Sequence, residues 1–255
     1  MNKTRYFSIY ALLAFALIML AFVVSFLGPT QSAFLLAESG PIEQLSALGY
    51  FCCVFYMAVR GGRAYLTRNS YLVVLITLFG CRELDFDKRF TTVGVLKSRF
   101  YLSTDIPVFE KLIGLIVIAL IIWSVAMIVR NHILSFLEGL RLVSVEATGV
   151  AAALLLLGFS KSIDGVARKL APLGFDLSGR VSFLAGAIEE VMELGIPLFM
   201  IIVFHAWNHK NESLKASARQ YPTKIRARAA GIGKIVDPSA QNILKCLASH
   251  HRHPE

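Results

Sequence analysis

The chain predicts an all-α fold: a polytopic transmembrane helical bundle of about six spans, with both termini in the cytoplasm. Three observations lead there. Of its 255 residues 56% are hydrophobic and only 17% charged, with a mean hydropathy of +0.62, whereas about a quarter of a soluble domain is charged. The apolar residues gather into runs that approach the ~20 helical residues a bilayer core requires. The 26 basic residues are also sorted by side. With the N-terminus inside, the inner segments sum to +11 and the outer ones to −2, the asymmetry of the positive-inside rule.

The first span, residues 8–27, follows the basic start at Lys3 and Arg5. It is longer than the apolar core of a cleaved signal, and Gln31-Ser32-Ala33 makes a poor cleavage site, so it reads as a retained signal anchor. Further spans are expected at residues 42–59, 64–89, 108–128, 142–160 and 181–207. Residues 1–209 then form the transmembrane domain and 210–255 a basic cytoplasmic tail, irregular because of Pro222, Gly231, Gly233 and Pro238. The net charge of +9 is explained by this topology and not by nucleic acid. Cys52, Cys53, Cys81 and Cys246 show neither disulfide-framework nor zinc-ligand spacing.

The third span is short. Its uninterrupted apolar stretch, residues 71–81, covers only about 16 Å at helical rise. Either the helix starts earlier, with Arg63 and Arg68 snorkelling, or Arg82 and Glu83 lie well inside. The following loop mixes Lys97, Arg99, Phe100 and Tyr101, which suits a headgroup interface.

Ionised groups are expensive in hydrocarbon, so acids inside apolar segments mark candidate sites. Glu189, Glu190 and Glu193 interrupt the last span. Glu189 and Glu193 are four apart and share a helix face, where two carboxylates can hold a hard divalent cation such as Mg or Ca, share a proton or accept from arginine. Pro197 is placed to kink that helix. Arg82-Glu83-Leu84-Asp85-Phe86-Asp87-Lys88-Arg89 sorts its charges: Glu83 and Asp87 fall on one helical face, while Arg82, Lys88 and Arg89 supply phosphate-binding cations. Glu38 and Glu43 flank Pro41 at the mouth of the second span, where capping explains one of them. Asp164, in Ser160-Lys161-Ser162-Ile163-Asp164, reads equally well as a solvated helix end. His205 and His209 have metal-pair spacing but lie beside Trp207, so they are expected to anchor the cytoplasmic interface, and His205→Ala to change neither activity nor folding.

The runs Arg-Glu-Leu-Asp-Phe-Asp-Lys-Arg-Phe and Glu38-Ser-Gly-Pro-Ile-Glu43, with the Glu-Glu-x-x-Glu span, resemble a group of uncharacterised bacterial multi-span membrane proteins. The resemblance implies a bacterial inner membrane and supplies no activity. Three functions fit the residues. One is an enzyme or binding protein for a lipid or lipid-linked phosphate at the outer leaflet, with Glu189, Glu193, Glu83 and Asp87 as acid–base or cation-holding groups and Glu38, Glu43, Asp85, Asp164 and Glu190 supporting. The others are a cation- or proton-coupled transporter and a non-catalytic subunit of a membrane-protein assembly. The first predicts that Glu193→Gln impairs activity more than folding.

Overall fold

A computed structural model describes residues 3–27, 40–86, 98–104, 106–174 and 178–232. The described residues form helices and turns, with no strand among them. The helices are α1 (Lys3–Phe26), α2 (Pro41–Arg68), α3 (Ser70–Glu83), α4 (Ser98–Leu102), α5 (Val108–Arg141), α6 (Val145–Ile163), α7 (Val166–Leu170) and α8 (Gly179–Ile232). A single 3-10 turn, Ala171–Leu173, follows α7. The chain divides into two compact units, 1–208 and 209–255.

Within the first unit, α1, α2, α5 and α6 are long and apolar enough to cross a membrane. This is an integral membrane protein. Each of these helices buries a few residues and leaves large apolar side chains exposed, as lipid contact requires. In α1 the buried residues are Tyr6, Tyr10, Leu17 and Val24, at intervals of four and seven. In α2 they run Ile42, Ser46, Ala47, Tyr50, Cys53 and Met57. Lipid removes much of the hydrophobic drive between helices, so close packing has to hold them. Gly49 shows how: a Cβ there would lie 2.9 Å from Cγ of the fully buried Pro197, so only glycine lets α2 approach α8 at that level.

Two boundaries differ from the expected spans. α2 continues to Arg68 through a kink at Gly62, whose φ of 69° with ψ of −179° is open to glycine and strained for other residues. Residues 64–68 therefore belong to α2, and α3 starts only at Ser70. Asn69 makes the turn, its side chain and backbone N–H both donating to Tyr65 O. Fourteen residues give α3 a length of about 21 Å. It packs against α2 and α5 and does not begin early; Glu83 is buried inside the bundle, while Arg82 beside it stays partly exposed.

Phe100 is wholly buried, not at a lipid interface; the short helix α4 turns it inward. The α5–α6 connection is tight, with Val143 at φ 49° and Ser144 capping α6 by accepting from Ala147 N at 3.2 Å. α8 is helical through Pro222 to Ile232, where an irregular tail was expected. The reason lies in residues 210–220, which are mostly good helix formers and offset the single proline.

His205 also departs from its expected role as an interface anchor. It is half-buried, its Nδ1 hydrogen-bonded to Tyr56 Oη at 2.6 Å and its ring 6.2 Å from that of Tyr6. His205→Ala should therefore cost roughly 1–3 kcal/mol, the penalty of leaving a half-buried hydroxyl unpaired and a packed ring missing. Melting of the detergent-solubilised protein checks this, and an unchanged midpoint would restore the anchor reading.

Candidate functional site

Three helices bring charge to one end of the bundle. The last turn of α3 supplies Arg82 and Glu83, the last turn of α6 supplies Ser160 and Lys161, and α8 supplies Glu189, Glu190 and Glu193. Glu83 and Glu193 are each only 5% exposed. Acids this buried need cations or donors close by.

Glu193 Oε1 is the hub. It accepts from Ser160 Oγ at 2.8 Å, makes direct contact with Lys161 Nζ, and lies 3.6 Å from Arg82 Nη2. Arg82 Nη1 reaches Glu83 Oε1 at 3.4 Å, and Lys161 Nζ stands 3.7 Å from Glu189 Oε1. The order along the network is thus Glu83, Arg82, Glu193, Lys161, Glu189, with acid and base alternating. Alternation offsets the desolvation of each charge by a neighbour of opposite sign. Tyr50, buried on α2, lies within electrostatic reach of Glu83, Glu193 and Arg82.

The depth of the network follows from helical rise. Glu193 lies twelve residues before His205 on α8, about 18 Å along the helix. A Cβ on Gly80 would touch Tyr50 and Phe51, which aligns α3 with α2 and places Glu83 roughly 9 Å short of the level where α2 starts. Glu83 and Glu193 are thus buried below the end of α2, with Arg82 partly exposed beside them.

Of the residues singled out from sequence, the structure brings together Arg82, Glu83, Glu189 and Glu193. Glu190 is half-buried beside them, and Glu43, in the first turn of α2, is within its electrostatic reach. Asp164 ends α6 within reach of Glu189 and Arg82. Asp85 lies just beyond α3 with φ 50° and has interactions of its own. Glu38, Asp87, Lys88 and Arg89 lie outside the described residues.

Two features change the chemistry expected of the cluster. Among the described residues, no group of three or more His, Cys, Asp or Glu side chains is placed to hold a metal ion, because Arg82 and Lys161 stand between the acids. Among the described residues, Glu83, Glu189 and Glu193 are paired with cations of the protein itself. Lys161 also proves central, although sequence reading left it at a solvated helix end. The available signal was Ser-Lys directly after the apolar run 151–159, in register to face another span.

The hub gives Glu193 a part in holding the fold as well as any part in activity. A carboxylate shared by two cations and a hydroxyl is a structural tie whatever else it does. No family model, curated protein or solved structure matches the chain, so the reading of this site rests on its own geometry.

Proposed function

We propose that this is a bacterial inner-membrane protein of six passes, N-in and C-in, whose periplasm-facing recess binds the phosphate of a lipid or lipid-linked headgroup. One observation carries the reading. A single oxygen of Glu193 holds both Arg82, whose side chain remains 40% exposed, and Lys161, whose ammonium is itself buried. Two cations left to themselves would repel and separate. Tied to one carboxylate, they form a preorganised clamp for two oxygens of a phosphate, with arginine supplying the planar fork and lysine the point charge. Glu189 and Glu190, half-buried alongside, are the groups available for general acid–base chemistry on a bound ester.

The orientation is supported by the sorting of basic residues. Contacts between helix ends support six passes: Tyr10 bonds Val145 O and Tyr56 bonds His205 at one end, and Ser160 and Arg82 meet Glu193 at the other. Reporter fusions after Arg63 and after Ser103 should be inactive and active, respectively, for a phosphatase that works only outside. The reverse pattern would sink the orientation.

Binding is tested with the full chain in nanodiscs and short-chain phosphatidic acid as probe. Saturating probe should raise the melting midpoint, by linkage of binding to folding, while the corresponding phosphate-free diacylglycerol should not. Lys161→Arg should keep the response and Lys161→Gln lose most of it. Equal responses to both lipids would remove the phosphate reading, and inorganic phosphate alone reproducing the shift would assign the site to the free anion.

A further inference from the structure

The end of the bundle opposite the charged recess carries polar groups that the phosphate reading leaves unused. Tyr6 enters from the first turns of α1, Tyr56 from α2, Glu146 from the first turn of α6 and His205 from α8. Tyr56 Oη and His205 Nδ1 are hydrogen-bonded at 2.6 Å, their rings stacked with centroids 6.2 Å apart, and the Tyr6 ring is tilted against the imidazole at 6.2 Å. Glu146 is within electrostatic reach of both Tyr6 and Tyr10. Asn208 and His209 follow His205 on its own helix, each with interactions of its own.

Tyr6 is 4% exposed, and among the described residues its Oη has no hydrogen-bond partner. Buried hydroxyls in folded proteins are for the most part satisfied, by protein or by ordered water. The surroundings are polar enough to hold water, with a carboxylate, an imidazole and a second phenol nearby. Toward the recess the core turns apolar at Leu17, Cys53, Ile196 and Phe199. Glu146 and Lys161, at opposite ends of α6, are about 22 Å apart at helical rise.

We propose that Tyr6, Tyr56, His205 and Glu146 form a second, hydrated site, open to the cytoplasm in the orientation proposed above, whose ligand is water. Its chemistry is proton exchange between that water and the Tyr56–His205 pair, each proton taken up at one oxygen or nitrogen being released from its neighbour. The protein then has a polar site at each end of an apolar septum. This inference shares only the orientation with the phosphate reading.

The test uses thiol alkylation, because the reacting thiolate forms only where water reaches it. In a background lacking the four native cysteines, Tyr6→Cys and Leu17→Cys are exposed to a membrane-impermeant maleimide in inside-out vesicles. The Tyr6→Cys thiol should react at least roughly tenfold faster than the septum thiol, since a buried apolar site keeps the thiol protonated. Equal rates would overturn the hydrated site. Reaction confined to right-side-out vesicles would overturn its cytoplasmic opening together with the orientation, and binding of phosphatidic acid would be unaffected in either case. Tyr6→Phe guards against misfolding of the cysteine variant. Removing a water-bonded hydroxyl should lower the melting midpoint by roughly 2–4 °C, whereas removing a dry, unpaired one would leave it unchanged or raise it and so refute the proposal.

Discussion

Glu193→Gln is expected to be the most damaging conservative change in the chain. Glutamine keeps the size and an acceptor for Ser160 but leaves Lys161 and Arg82 facing each other without the charge that separates them. Breaking a buried pair costs about 3–5 kcal/mol. Because the Arg82 side chain is 40% exposed while the Lys161 ammonium is buried, screening should bring the loss only partway down, to roughly 2–4 kcal/mol. Melting in detergent and yield from membranes would both fall. The attribution is checked by Lys161→Met in the same chain: if electrostatics dominate, the double variant recovers part of the loss, giving a coupling of about 0.5–3 kcal/mol. Strict additivity of the two single changes would show that Glu193 acts through packing alone.

Arg82→Met should come second, for the opposite reason. It removes a cation from between two acids that are each 5% exposed. Glu193 retains Lys161 and Ser160, so the burden falls on Glu83, which loses its ion pair and must be buried uncompensated or take up a proton. Discounted for the 40% exposure of Arg82, a loss of about 2–3 kcal/mol is expected, and Arg82→Met with Glu83→Gln should restore much of it. Arg82→Lys should do worse than a conservative label suggests, because one ammonium cannot span Glu83 and Glu193 as the two terminal nitrogens of the guanidinium do. A lysine variant as stable as the parent would show that the bridging geometry is dispensable.

What sequence made legible, and what it hid, follows from what hydropathy measures. Glu83, Glu189, Glu193 and Arg82 stood out because a charge inside an apolar run is a local anomaly. Lys161 did not, since it falls in the last turn of α6 and its partner lies thirty-two residues away; the pairing exists only after α6 and α8 pack. Helix ends were misread for a related reason. Arg60, Gly61, Gly62 and Arg63 end an apolar run without ending the hydrogen-bonded helix, so α2 reaches Arg68. The inner polar groups were the least visible, because tyrosine counts as apolar in composition and shows its hydroxyl only when a neighbour such as His205 comes within 2.6 Å. Phe100 was placed at an interface by its basic neighbours, though a short helix suffices to turn one aromatic ring into the core.

Glu83 and Glu193 are buried below the end of α2, and that depth has an electrical meaning. If the cytoplasmic face of a core ~30 Å thick lies near the level of His205, ~18 Å from Glu193 along α8, about two-fifths of the bilayer separates the network from the outer surface. A charge moved across the full membrane potential changes energy by about 2.3 kcal/mol per 100 mV. A phosphate dianion entering two-fifths of the field from the positive side would therefore be opposed by about 1.8 kcal/mol per 100 mV, roughly twentyfold in occupancy. In the proposed orientation, an energised cell would hold the recess emptier of dianions than a depolarised one, and Arg82 and Lys161 would act as a voltage-sensitive receptor without any helix having to move.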